Sequence, residues 1–451
     1  MTTSETTAEA VDDNVPTPQI IPKGQHPITN NDIDADALMV LRRLRQAGFT
    51  AYLVGGGVRD IFLGKAPKDF DISTSARPAQ VRKVFRNSRI IGRRFRLAQV
   101  FFNGGKIIEV ATFRRRSEYE IAGDDVVLPA NNSFGTPVED AFRRDLTINA
   151  LFYEIEGSTV IDFIGGVDDL NNRVVRLIGD PERRITRDPV RMMRVIRHAA
   201  RAAFEVETET WQAILHNRDK LLLCPVSRIR DELLKDLCGG ASRAWAGLAL
   251  DSGIFYTIFP FYRHTLIEHE KAEDNKNRLF AVLSVIDRLV KEGQKLPDGL
   301  LISLLLVSWA EAELDIENIQ TQKESYLLSR DIREKLAGMF GNLNIKRAMQ
   351  DDVARSLATL PLLLKHDNGK DWPKWLQKKS YFKSGMHLFQ IVKEVNGGPA
   401  AADLPFIAPS VVVAAPKKTG RQPARRGPSY GGRGTAYAIN TKGGVFGFRQ
   451  H

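Results

Sequence analysis

The sequence predicts an α+β head built on a small mixed sheet, followed by an all-α neck and body and a disordered basic tail. Three observations predict this class. Between about residues 50 and 164, short apolar runs of strand length alternate with helical segments and with turns rich in Gly or Asn. From about Asp180 onward helical periodicity dominates, as in Leu279, Val282, Leu283, Ile286, Leu289 and Val290. Beyond Gly397-Gly398-Pro399 the chain is rich in Pro, Gly and Arg, a composition that cannot bury a core.

In chain order, residues 1–30 are polar, slightly acidic and contain Pro, and are expected to be a disordered leader. A helix is expected from Ala35 to Ala47, with Leu38, Leu41 and Leu44 on one face and Gly48 as its stop. Tyr52-Leu53-Val54 reads as a strand running into Gly55-Gly56-Gly57 and a helix start, and Asp69-Phe70-Asp71-Ile72 reads as extended. After Arg77-Pro78, Val81, Val84 and Phe85 recur at helical spacing. Phe95–Phe102 and Ile107–Phe113 form a strand pair joined at Asn103-Gly104-Gly105. Residues 120–134 read as a loop, and Thr136-Pro137 opens a helix with acids in its first turn. A second strand pair covers about 151–155 and 159–164. The expected divisions are a head over 31–178, a helical neck over 179–260, a helical body over 261–400 and a tail over 401–451.

Bulk composition excludes several classes. Hydrophobic residues make up 43% and charged residues 26%, as in an ordinary globular chain. The two cysteines, Cys224 and Cys238, exclude a disulfide framework and suit a reducing, cytoplasmic compartment. The most apolar stretch, Gly299 to Ala310, falls short of the ~20 residues of a membrane span, and no signal peptide is read. The net charge of +11 is concentrated at one end: residues 416–451 hold eight Lys or Arg, among them Lys417, Lys418, Arg425 and Arg426, and no acid. A polyanion partner and a plain solubility tail both fit that charge.

The chemistry starts at Asp69-Phe70-Asp71. Residues i and i+2 of a strand share a face, and two adjacent carboxylates repel unless a cation such as magnesium joins them. Glu109 is an acid inside the apolar run Ile107-Ile108-Glu109-Val110-Ala111. Either its face is open to solvent or it meets a metal or a base. If its strand neighbours that of Asp71, three acids surround the place where two divalent ions would serve in-line phosphoryl transfer. Gly55 and Gly56 lie between strand and helix, where backbone N–H groups can approach a phosphate, and Arg59 offers a further contact.

The run Leu53-Val54-Gly55-Gly56-Gly57-Val58-Arg59-Asp60, followed by Lys68-Asp69-Phe70-Asp71, resembles the first signature of the class II tRNA nucleotidyltransferase/poly(A) polymerase family. The resemblance continues in order with Arg143-Arg144-Asp145-Leu146-Thr147-Ile148-Asn149-Ala150, the hinge-like Asp162 to Leu170, and Asp188-Pro189-Val190-Arg191. It implies a polymerase-beta-like nucleotidyltransferase head with Asp69 and Asp71 holding two Mg²⁺ ions and Glu109 as the third acid. It also implies that Asp145 contacts ribose, that Arg144 and Asn149 belong to the nucleotide site, and that Asp188 and Arg191 read the base. By local pattern alone Asp188-Pro189 reads as a helix cap, a role that can coexist with base reading. The family's usual Glu before that Asp is Arg187 here, which begins a basic row with Arg191, Arg194, His198 and Arg201.

The segment Arg86 to Ala98 is similar to the one that distinguishes the bacterial poly(A) polymerases within that family, with Gln99 where His commonly follows. The resemblance therefore implies ATP as substrate and RNA 3′ ends as acceptor. Arg93, Arg94, Arg194, Arg201 and the basic tail are the expected RNA contacts. A CCA-adding or A-adding tRNA enzyme and an inactive RNA-binding protein of the same fold are the alternatives.

Overall fold

The structure is a computed structural model that describes residues 17–92, 96–115, 134–314, 316, 319–341, 343–366, 372 and 374–401. Arg93, Arg94, Lys417, Lys418, Arg425 and Arg426 lie outside these residues.

The head is organised by an eight-stranded mixed sheet. Its strands are β1 (Gln19–Ile21), β2 (Ala51–Val54), β3 (Asp71–Thr74), β4 (Ser88–Ile91), β5 (Leu97–Phe101), β6 (Ile107–Thr112), β7 (Phe152–Glu154) and β8 (Thr159–Asp162). They lie in the order β1-β8-β7-β2-β3-β6-β5-β4. β3 and β6 run parallel, and the other pairings described within this sheet are antiparallel.

β1 corrects the expected leader. The chain joins the sheet at Gln19, pairing with Asp162, and buries Ile21. Its three residues are too few to show a period in sequence; β8 supplies the hydrogen bonds that order them.

Helices α1 (Ala35–Gln46), α2 (Gly56–Phe62), α3 (Pro78–Val84), α4 (Pro137–Arg143) and α5 (Gly166–Asn171) accompany the sheet. The Asp34 carboxylate caps α1 by accepting from the N–H groups of Asp36 and Ala37. The buried stripe of α1 is Ala37, Val40, Leu41 and Leu44, whereas Leu38 is only partly covered, because 3.6-residue spacing drifts from a strict three-residue count. Thr136 and Glu139 form a capping box ahead of Pro137 in α4.

The two faces of β2 bury different partners, as strand alternation requires. Leu53 enters the main core, while Val54 joins Phe113, Phe152 and Ala141 of α4 in a smaller cluster. That second face carries the functional residues.

The rest is helical: α6 (Pro181–Arg187), α7 (Arg191–Ala202), α8 (Thr208–Asn217), α9 (Val226–Leu237), α10 (Ser242–Asp251), α11 (Ile254–Ile258), α12 (Ala272–Lys291), α13 (Asp298–Leu305), α14 (Val307–Glu313), α15 (Gln322–Met339), α16 (Arg347–Lys365), α17 (Lys374–Gln377) and α18 (Phe382–Val395). A short parallel pair, β9 (Val174–Val175) with β10 (Glu205–Val206), ties the end of the head to the segment after α7. No helix of the described residues is long and apolar enough to cross a membrane. Cys224 is buried, Cys238 is exposed, and both are free thiols.

Candidate active site

Register brings the acids together. Phe152 pairs with Val54, Val54 with Asp71, Asp71 with Glu109, and Glu109 with Gln99. Directly paired residues present side chains to the same face, on strands about 4.8 Å apart. Asp71 and Glu109 are therefore neighbours on the face that also carries Val54 and Phe152. Glu109 is half-buried between the exposed Ile107 and the half-buried Ala111 on that face, and its carboxylate accepts a hydrogen bond from Gln99 Nε2 at 3.0 Å.

Asp69 stands differently from the expectation. β3 begins at Asp71, so shared-face geometry does not extend back to Asp69. Its position is set by close packing, since a Cβ on Gly57 would come within 3.2 Å of the Asp69 carbonyl oxygen. Among the described residues no three acids, histidines or cysteines stand close enough together to hold a metal ion, so Asp69, Asp71 and Glu109 do not close into a three-acid cage. They are nevertheless coupled. The Asp71 pKa is raised, first by crowding from protein and then by repulsion from Glu109 and Asp69, with Arg144 pulling the other way.

Gly55 seals one side. Its φ of +75° suits glycine, and a Cβ there would sit 3.4 Å from Arg144 Nη1 and 3.7 Å from Asp71 Oδ2. Arg144 is held in place: its Nη2 donates to Asp140 at 2.9 Å and to Ser73 Oγ at 3.2 Å, and its Nη1 donates to the Asn149 carbonyl at 3.3 Å. The guanidinium also lies 5.4 Å from the Phe152 ring centre.

Asp140 was not singled out by its sequence. An acid in the first turn of α4 reads as a favourable charge at a helix start. In the fold it is buried at 1% exposure and binds Arg143 Nε at 2.8 Å as well as Arg144. Burial pushes its pKa up, but Arg144 and Arg143 outweigh burial and hold it below the ordinary value.

Arg59, expected to reach toward phosphate, is instead buried at 6% exposure. Its Nε and Nη2 donate to Asp60, its Nη1 donates to Asn149 Oδ1 at 2.6 Å, and His198 Nδ1 lies 3.1 Å from Nη1. These internal acceptors compensate a desolvated cation, and they tie α2 to α7 through Asn149.

Asp188 and Arg191, expected to read the base together, have separate partners. Asp188 ends α6, and its carboxylate meets Arg228 of α9 at 3.0 Å. Nor does it cap α7, whose first residue is Arg191 and whose N-cap is Val190 without a side-chain bond. Arg191 Nε donates to Asp145 Oδ1 at 2.6 Å, and Arg194 Nη1 donates to Asp145 Oδ2 at 2.5 Å. Burial opposes ionisation of Asp145, but Arg191 and Arg194 hold its pKa well below the carboxylate range.

Arg194, expected to contact RNA, is thus engaged internally and reaches Glu232 as well at 3.4 Å. Arg201 lies exposed at the end of α7. Beside it on the same helix, Arg197 pairs with Glu232 at 2.5 Å and Asp236 at 2.9 Å. Asp140, Gln99, His198 and Arg228 are the members of this region that sequence reasoning did not assign to the site. Of these, Gln99 and His198 had a detectable signal, Gln99 as the departure immediately after Arg86–Ala98 and His198 as a member of the basic row that begins at Arg187.

Comparison with known proteins places this geometry. Residues 51–176 match the Poly A polymerase head domain, and residues 203–266 match the probable RNA and SrmB-binding site of polymerase A. Poly(A) polymerase I of Haemophilus influenzae is 34% identical over 392 residues, covering 84% of this chain and 85% of that protein. The chain belongs to the class II nucleotidyltransferase/poly(A) polymerase family.

Within the family, Poly(A) polymerase I of Escherichia coli is 47% identical over 248 residues, a match spanning 53% of each chain. The chain therefore aligns with about half the length of that relative. A CCA-adding enzyme of Lactobacillus helveticus is 40% identical over 222 residues, covering 49% of this chain and 54% of that one. The fold is shared with a solved tRNA-processing enzyme complex at TM-score 0.54 and 21% identity, over 79% of this chain and 90% of that chain. An apo tRNA-processing enzyme matches at TM-score 0.53 and 23% identity, over 82% and 90% respectively. The fold is that of a nucleotidyltransferase head joined to helices.

Proposed function

We propose that this chain transfers adenylate from ATP to RNA 3′ ends without a template. The observation that carries the reading is the in-register pair Asp71 and Glu109, beside Asp69 and against the Gly55 turn. In the step, the RNA 3′ oxygen forms a bond to the α-phosphorus, the bond from that phosphorus to the β-bridging oxygen breaks, pyrophosphate leaves, and the 3′ hydroxyl loses its proton.

Asp69 and Asp71 would hold divalent magnesium. The donor set suits it: hard carboxylate oxygens that repel one another, with no hydrogen bond to the Asp71 side chain from the described residues. Magnesium commonly binds through one or two carboxylates and completes its shell with water and substrate phosphates, so a three-acid cage is not required. When bound, it supplies activation of the attacking hydroxyl and neutralisation of triphosphate charge. Glu109 adds negative potential beside Asp71 and is oriented by Gln99. Arg144 presents a cation next to Gly55, where backbone can approach a phosphate.

Asp145, Arg191 and Asp188 are proposed to meet the ribose and base, which requires an exchange of their present partners Arg194, Arg184 and Arg228. Such exchange suits a site that completes itself around its substrate. The basic residues of 416–451 are proposed to hold RNA by charge, with strong salt dependence.

Polyadenylation is favoured over CCA addition because the Escherichia coli poly(A) polymerase matches at 47% identity against 40% for the Lactobacillus CCA-adding enzyme, and the Haemophilus poly(A) polymerase, at 34%, matches over most of this chain. Purified full-length protein with Mg²⁺ and each single nucleotide, on unstructured RNA and on tRNA lacking its terminus, tests the reading. Long A tails on unstructured RNA are expected. Incorporation of C and A on the tRNA alone would establish the CCA-adding alternative, and no incorporation at all would leave an RNA-binding protein of this fold.

A further inference from the structure

The contact among Arg59, Asn149 and His198 is one hydrogen-bond acceptor short. A guanidinium only donates, so His198 Nδ1, 3.1 Å from Arg59 Nη1, must accept and carries no proton. A neutral imidazole then carries its proton on Nε2. Burial, and after it the positive charges of Arg59, Arg197 and Arg201, depress the ring's pKa well below its ordinary value, so the neutral form persists.

His198 Nε2 faces Asn149 Nδ2 at 3.4 Å, which sets two donors against each other. Turning the amide over does not cure this. Asn149 Oδ1 now accepts from Arg59 Nη1 at 2.6 Å, and the turned amide would set Nδ2 against the guanidinium. The charge-assisted bond is the stronger of the two, so the mismatch settles between Asn149 and His198. Both residues keep partial exposure, and the two N–H groups face each other with no acceptor between them. Asn149 also accepts on its backbone carbonyl from Arg144, the cation that rests against Gly55, which places Asn149 beside the Gly55 turn.

We propose that His198 Nε2–H and Asn149 Nδ2–H form a donor pair that grips one oxygen of the incoming nucleotide, a ribose hydroxyl or a phosphate oxygen. His198 is then a nucleotide-binding residue of this chain, and Arg59 is a positioning residue that fixes which face of the Asn149 amide points outward. The inference rests on the nucleotidyl-transfer reading.

The test compares full-length wild type, His198→Phe and His198→Gln, using ATP, 2′-dATP and 3′-dATP in single-addition assays. His198→Phe should raise KM for ATP about ten-fold, the loss of one good hydrogen bond, with kcat changed less than about three-fold. His198→Gln, whose amide can return an N–H near Nε2, should recover part of the loss. If a ribose hydroxyl is gripped, the penalty disappears with the analogue lacking that hydroxyl; if a phosphate oxygen is gripped, it persists with every analogue. An unchanged KM for ATP in a folded His198→Phe overturns the donor pair, as does a fall in kcat that tracks lost thermal stability with KM untouched. Calorimetric Kd for MgATP provides the same comparison independently of turnover. A wild type that binds ATP yet transfers nothing would refute the transfer reading alone, and the Kd comparison would still decide the donor pair.

Discussion

Replacing Asp140 by Asn should unsettle the active site from beneath without touching substrate. The Asp140 carboxylate is buried and binds Arg143 at 2.8 Å, Arg144 at 2.9 Å and the Arg114 N–H at 3.2 Å. The amide keeps one oxygen but turns an N–H toward an arginine or Ser73. Removing one partner of a buried pair costs ~3–5 kcal/mol; the lower end applies here, since the Arg143 and Arg144 side chains retain 29% and 18% exposure. With an unfolding entropy of about 2.1 cal/mol/K per residue, a unit of roughly 400 residues converts ~3 kcal/mol into a fall in Tm of about 4 °C.

The pH dependence has a definite sign. Arg144 and Arg143 place the folded-state pKa of Asp140 below its unfolded value, so the stabilisation is present above about pH 4 and is lost as pH falls through the lower folded value. Thermal melts of wild type and variant from pH 7 to pH 3 should therefore show a constant gap down to about pH 4 and a narrowing gap below it. Transfer should also fall, because Arg144 loses the anchor that holds it against Gly55. Equal melting temperatures at pH 7, or a gap that widens in acid, would refute the reasoning.

Two further substitutions probe the cleft itself. Asp71→Asn should lower transfer at least about a hundred-fold while leaving Tm at pH 7 no lower than wild type. The raised folded-state pKa of Asp71 means that its charged form costs stability as pH rises above about 4, and the amide removes that cost. Gly55→Ala should destabilise by ~1–3 kcal/mol, from a backbone conformation at φ +75° and ψ −142° that alanine resists. It should also weaken triphosphate binding, since its methyl group would occupy the space beside Arg144 and Asp71 that a phosphate would approach; a KM for ATP equal to wild type would place the nucleotide elsewhere.

Much of the head was legible because its signals are local. The Thr136–Glu139 capping box, the strand-to-glycine junction at Val54-Gly55 and the alternation of Ile107 to Thr112 each follow from the residues beside them. The same alternation placed Glu109 with Ile107 and Ala111, and the packing of the sheet made theirs the more open face of β6. The burial of Arg59 was not, because its acceptors Asn149 and His198 lie 90 and 139 residues away in sequence. Asp188-Pro189 followed a genuine capping pattern, yet the Arg228 guanidinium on α9 claims the carboxylate that a cap would use.

By itself the sequence determined local matters such as the shared face of Ile107, Glu109 and Ala111 and the starts of α1 and α4, since these depend on spacings of a few residues. The tertiary structure decided the parallel register that sets Asp71 beside Glu109, the burial of Asp140 between two arginines, and the choice of Arg191 and Arg194 as partners of Asp145. The physical reason is range. Backbone and side-chain periodicity act over one or two turns, whereas the charge and hydrogen-bond partners that give an acid its role are brought to it only when distant strands and helices pack.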